Sequence, residues 1–203
     1  HLTSPRDYEI AAQAFVGNDY TVKAYTYFEV QDFLFNNDPI LDTVDDLSRR
    51  NVYLVISSNN GEGVNEALQN GIRNYLLPRL QSGTEIKFIQ PEKLYLNLSI
   101  ETANNPALFD INRMVDSLRV NQSILYRGVG KSINNRRLYD NVESFFLVNT
   151  LTSTVVDSEG QGLLGFSGRN DNIVSPVPNS VFFLNEIRVT TSLGVEYVYD
   201  GEV

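Results

Sequence analysis

The sequence predicts an α+β fold, an antiparallel or mixed sheet with helices packed on one face, extended by a β-rich C-terminal segment. Three observations predict it. Segments with helical spacing alternate with segments of strand spacing through the first 143 residues. The run "EKLYLNLSI" alternates apolar and polar residues strictly, with Leu94, Leu96, Leu98 and Ile100 on one side and Lys93, Tyr95, Asn97 and Ser99 on the other. After Phe145 helical periodicity fades, and β-branched and aromatic runs separated by glycine and proline take over.

The elements follow in order. "TSPRDYEIAAQAFV" starts a helix: Ser4 suits the N-cap, Pro5 the first helical position, and Asp7 and Glu9 the positive first turn. Gly17-Asn18 ends it. "YTVKAYTYFEV" (20–30) predicts a strand, and 31–50 a polar loop around Asp38-Pro39 with a helical turn. "NVYLVISS" (51–58) is a second strand, closed by the turn "NNGEG". Val64, Leu68, Ile72, Tyr75 and Leu76 stripe a second helix that Pro78 limits. "GTEIKFIQ" and "EKLYLNLSIETA" give two strands, and 105–125 a third helix with Leu108, Ile111, Met114, Val115 and Leu118 on its apolar stripe. A glycine-containing loop leads to a short helical segment, "INNRRLYDNVES". The order strand–helix–strand–strand–helix points to a ferredoxin-like split βαβ core over residues 1–143, with 144–203 as a β-rich segment or small subdomain.

A chain of 203 residues with 42% hydrophobic and 20% charged residues can bury a sizeable core. Its net charge of −9 repels phosphate backbones, so nucleic acid is not an expected partner. Cysteine is absent, which excludes disulfides, thiolate metal sites and thiol nucleophiles and fits maturation in a reducing cytosol. No apolar run reaches the roughly 20 residues of a membrane helix, so a membrane is not expected to be a partner either. No signal-peptide pattern is read at the start. The chain opens on His1 without an initiating Met, and is expected to be a fragment of a longer protein.

The motifs with chemical potential are each weaker than their structural alternatives. "GVGKS" (128–132) ends like a phosphate-binding loop, but the first glycine of G-x-x-x-x-G-K-[ST] would fall at Leu125, and a helical stretch precedes it rather than a strand. "NNGEG" (59–63) could form an anion nest, although a turn needing positive φ explains it as well. Asp42, Asp45 and Asp46 do not have calcium-loop spacing. "GFSGR" (165–169) is one residue short of a nucleophile elbow, and the sole histidine, His1, lies at the terminus. Two sequons, at Asn97 and Asn121, are read as chance matches. Neither catalysis, cofactor nor metal is expected.

Several segments in sequence then carry a likeness. Ser4, Asp7, Tyr8 and Glu9 open the first helix, and Val52-Tyr53-Leu54 the second strand. Tyr75-Leu76 closes the second helix. Gly83-Thr84 and then Pro91 with Leu94, Leu96 and Leu98 complete the set. In this order the chain resembles the baseplate J-like family of contractile phage tails and related injection systems. Within it, the likeness is to the C-terminal part of baseplate wedge proteins of T-even-type phages. It covers residues 1–143; the insert at 31–50 and the tail from 144 depart from it. The resemblance implies a virion structural protein of the tail baseplate, present in the host cytoplasm during assembly. Such a protein would self-associate, as a homodimer, and join neighbouring wedge proteins into a ring around the hub. The alternative is a receptor- or carbohydrate-binding tail module. Candidate interface residues are Leu108, Phe109 and Arg113 on the third helix, Tyr126, Arg136 and Arg137 after it, and Phe182, Phe183, Tyr197 and Tyr199 in the tail.

Overall fold

The computed structural model describes residues 2–31, 50–120, 128–175 and 177–201, and shows the expected α+β class. Its elements are α1 (Pro5–Val16), β1 (Tyr20–Thr26), β2 (Val52–Ser58), α2 (Glu66–Leu76), β3 (Ile86–Ile89), β4 (Glu92–Thr102) and α3 (Leu108–Val120). After these come β5 (Ile133–Asn134), α4 (Asn135–Glu143), β6 (Val148–Val156), β7 (Gly162–Phe166), β8 (Asn172–Ile173), β9 (Ser180–Thr190) and β10 (Glu196–Asp200). The tail from 144 is β-rich, as the sequence predicts. The loop expected over 31–50 lies almost wholly outside the described residues, as do Tyr126 and the end of the 105–125 helix.

The strands do not form one sheet in ferredoxin-like order. They divide into a three-stranded sheet β1-β2-β3, a five-stranded sheet β10-β9-β4-β6-β7 and a two-stranded ribbon β5-β8. The separation occurs at Gln90-Pro91. Proline has no N–H to give a ladder, and the backbone on either side is held by Asn179, whose side chain donates to the Gln90 carbonyl and whose own carbonyl accepts from the Glu92 N–H. Consequently β3 pairs with β2 in parallel, and β4 pairs antiparallel with β6. Because β4 takes partners from beyond residue 144, the expected boundary at 143 is not where the chain divides. One compact unit comprises 1–92 with 128–130 and 177–181; the other comprises 93–127, 131–176 and 182–203.

In the first unit, α1 forms where expected. Ser4 and Asp7 make a reciprocal capping box, and the Asp7 carboxylate accepts from the Thr3 and Ser4 N–H groups. These backbone bonds, with the Ser4 and Thr3 hydroxyls behind them, hold the carboxyl down at about 2. Tyr8 and Ala12 of α1 and Ile72 and Leu76 of α2 pack against Val22, Ala24, Leu54 and Ile56 of the sheet. β1 stops at Thr26 rather than running to residue 30, because Thr26-x-x-Glu29 is itself a helix start. The Glu29 carboxylate accepts from the Thr26 N–H and hydroxyl, and 27–31 turn helically.

In the second unit the predicted inward row of β4 (Leu94, Leu96, Leu98, Ile100) is fully buried. Across from it, β6 contributes Leu151, Ser153 and Val155 in register with Ile100, Leu98 and Leu96. Ile111, Met114, Val115 and Leu118 of α3 and Leu138, Tyr139 and Val142 of α4 are the buried helix faces. The polar residue among them, Asn135, is satisfied: it donates to the Gly168 carbonyl and accepts from the Ser153 hydroxyl. β9 and β10 close one edge, and their register stops at Gly201. A Cβ there would meet the Leu184 carbonyl carbon at 2.4 Å and the Asn185 nitrogen at 2.7 Å.

Candidate functional site: an apolar end on the second unit

The β4 strand ends at Thr102, and the loop that follows is pinned from two directions. The Ala103 N–H donates to the Leu147 carbonyl, and the Asn104 carbonyl accepts from the Ser192 N–H at the β9–β10 turn. The same loop then enters α3 at Leu108. Three chain segments that are remote in sequence are therefore bonded through their backbones, and each carries an exposed apolar side chain. Leu108 and Phe109 open α3, with Phe109 68% exposed; Leu147 is 65% exposed and Leu193 73% exposed. An apolar surface built from several segments is what a contact site needs, since isolated exposed hydrophobics are ordinary on any surface.

The patch is ordered by a cation. One helical turn past Phe109, the Arg113 guanidinium sits 5.7 Å from the Phe109 ring centroid and 5.9 Å from that of Phe145. At these distances the guanidinium is attracted to the negative faces of both rings. Arginine and aromatic side chains held rigid before contact lose little entropy on association, and both residue types are enriched at interface centres.

Of the residues proposed from the sequence, Leu108, Phe109 and Arg113 come together in this patch, and Tyr126 falls outside the described residues. Arg136 and Arg137 lie exposed on α4, where Arg136 stands 3.9 Å from Asp140, one turn on. Phe182 and Phe183 are corrected to the core: they are 1% and 4% exposed, and the Phe183 ring packs 6.4 Å from that of Tyr95. Burial along β9 runs unbroken from Ser180 to Leu184, so both faces of the strand are covered there and an aromatic pair that reads as a surface patch is buried. Tyr197 and Tyr199 are half-buried on the edge strand β10, and the Tyr199 hydroxyl donates to Asn112 of α3, so it serves the unit internally. The sequence reading missed Phe145, Leu147 and Leu193. Leu147 carried a usable signal: it follows the buried Phe146 in "SFFLVN", where alternation turns one of the pair outward.

The other motifs resolve structurally. Gly130 of "GVGKS" adopts φ 62°, its N–H is committed to the Ser180 carbonyl, and a Cβ there would meet the Tyr25 hydroxyl at 2.3 Å. "NNGEG" is a turn with Gly61 at φ 75°, closed by the Ser58 N–H bonding to the Glu62 carbonyl. In "GFSGR", the Ser167 carbonyl accepts from Tyr139 and Arg169 pairs with Asp140 and Glu143. Among the described residues no group of three or more His, Cys, Asp or Glu side chains could hold a metal ion, and no helix is long and apolar enough to cross a membrane.

The fold and patch together define an α+β protein of two units with an ordered apolar surface on the second. No protein-family model matches the chain, and no curated protein sequence matches it.

Proposed function

We propose that this chain is a structural component of a contractile-tail baseplate wedge. In that role it self-associates and joins neighbouring wedge subunits into a ring around the hub, using surfaces rather than a catalytic pocket. One observation carries the proposal: the exposed Leu108, Phe109, Leu147 and Leu193 lie on segments that the Ala103 and Asn104 backbone bonds hold together, with Arg113 near the Phe109 and Phe145 rings, and an isolated chain leaves them in water. The residues that carry the likeness to the baseplate J-like family lend support. Ser4 and Asp7 form the helix cap that the motif requires, and Leu94, Leu96 and Leu98 after Pro91 form the buried row of β4.

A test is immunogold electron microscopy, with antibody raised against this chain, on contractile-tail particles made by cells that carry its gene. Label confined to the baseplate end of the tail is the expected result. Particles without label, from lysates that contain the chain, would rule the proposal out.

A further inference from the structure

The first unit carries a different surface, unrelated to the patch on α3. In the sheet β1-β2-β3, β3 has β2 on one side and no strand on the other among the described residues. The Val52 N–H bonds the Glu85 carbonyl, which fixes the direction of every following backbone group. By alternation along a parallel strand, the N–H and C=O of Ile86 and of Phe88 point to the open side. An open strand edge is a template for one more strand.

Beside this edge runs a groove of about 340 Å³. Its helix wall is Arg73, Leu77 and Leu80; its strand wall is Glu85, Ile86 and Lys87. Leu77 is 64% exposed, held out where Pro78 turns the end of α2 into a single 3₁₀ turn. Arg73 is fixed 4.9 Å over the Phe88 ring, so the helix and strand walls are tied together. The charge is opposite to that of the whole chain. Arg73 and Lys87 stand against one carboxylate, Glu85, which Lys87 already pairs at 2.8 Å, while the full chain carries −9.

We propose that this groove binds an extended segment of a partner protein as a fourth strand on β3. Its apolar side chains lie against Leu77 and Leu80, and its carboxylates, on the alternate face, lie beside Lys87. Main-chain bonds to Ile86 and Phe88 supply sequence-tolerant affinity, and the groove's leucines and cations select acidic segments with alternating apolar residues. The inference does not rest on the baseplate reading and would stand without it.

The test is proton–nitrogen NMR titration of the full chain with the blocked peptide acetyl-EVELEVE-amide, and with acetyl-KVKLKVK-amide as the charge-reversed control. The expected result is saturable shifts centred on the Ile86 and Phe88 amides, with slowed exchange of both, and at least tenfold weaker binding of the lysine peptide. Leu77→Asp, at a position 64% exposed, weakens the acidic peptide tenfold or more, and Lys87→Glu erases its preference over the lysine peptide. Absence of shifts at millimolar peptide overturns the proposal, as do shifts scattered over the surface or equal binding by the Leu77→Asp variant. Shifts at β3 that grow with the concentration of the chain alone identify a second copy as the occupant, and likewise overturn it.

Discussion

Arg113 lies one helical turn beyond Phe109 and holds its guanidinium 5.7 Å from the ring centroid of that residue and 5.9 Å from that of Phe145. Phe109, 68% exposed, is not part of the core beneath it. Ile111, Met114, Val115 and Leu118 close that core from the opposite stripe of α3. The Phe109→Ala chain is therefore expected to fold with stability within about 0.5 kcal/mol of the wild type, as surface substitutions do. Its self-association is expected to weaken by at least about 1 kcal/mol, the threshold for a residue that matters in an interface. Urea denaturation and sedimentation velocity on the same preparation separate the two effects.

Gly201 supplies a second expectation, about packing. A Cβ at this position meets the backbone of Leu184 and Asn185 rather than a yielding side-chain tip. Gly201→Ala should destabilise the chain by about 1–3 kcal/mol, as over-packing does. Gly165→Ala, which meets nothing within 4 Å, should be near neutral. Equal urea midpoints for the two variants would refute this account of the β9–β10 closure.

How legible these features were in the sequence depended on whether local rules decided them. The α1 start, the alternating face of β4 and the stripe of α3 could all be read because capping, pleat and helical period act over a few residues. The division into sheets could not, since it turns on Asn179, nearly ninety positions away in sequence, holding the backbone at Gln90 and Glu92. Phe182 and Phe183 were misjudged because β9 is covered on both faces from Ser180 to Leu184, and what covers the faces of a strand is not written in its own residues. The end of β1 was legible and overlooked, because Thr26 and Glu29 have the spacing of a capping box. Half of the apolar end could be seen on α3, whereas Leu147 and Leu193 join it only through the bonds at Ala103 and Asn104.

Tyr25 sets an alkaline limit. Its hydroxyl donates to the Pro178 carbonyl, and burial, with Glu29 and Glu9 adding to it, pushes its ionisation up to about 12. A folded value above the unfolded value of about 10 means that the neutral form is the one folding favours. The contribution is complete below pH 10 and is lost as pH rises toward 12. Tyr25→Phe should cost about 1–3 kcal/mol at neutral pH, by leaving the carbonyl unpaired, and should flatten the fall in stability between pH 10 and 12. Thermal melts of both proteins over that range are the measurement.

The cap of α1 sets the corresponding acid limit. The Asp7 carboxyl is held at about 2 against an ordinary 3.8, chiefly by the Thr3 and Ser4 N–H groups. A depressed value stabilises the fold above the ordinary one, and the contribution disappears as pH falls from 3.8 toward 2. Asp7→Asn should lower the melting temperature at pH 7 and lose that acid-range dependence. Ser4→Ala, which removes the other half of the box, should cost about 1 kcal/mol at neutral pH and, by removing one of the bonds that hold the Asp7 carboxyl down, should shrink that acid-range dependence.

Self-association requires that the exposed apolar residues of the second unit be a contact surface. Light scattering on the purified chain over a concentration series, run beside a Phe109→Asp, Leu147→Asp double variant, answers this most directly. A wild-type dimer that persists on dilution, with a folded and monomeric double variant, is the predicted result. A dimer that the two substitutions leave intact, or a wild-type chain monomeric at every concentration, would contradict it.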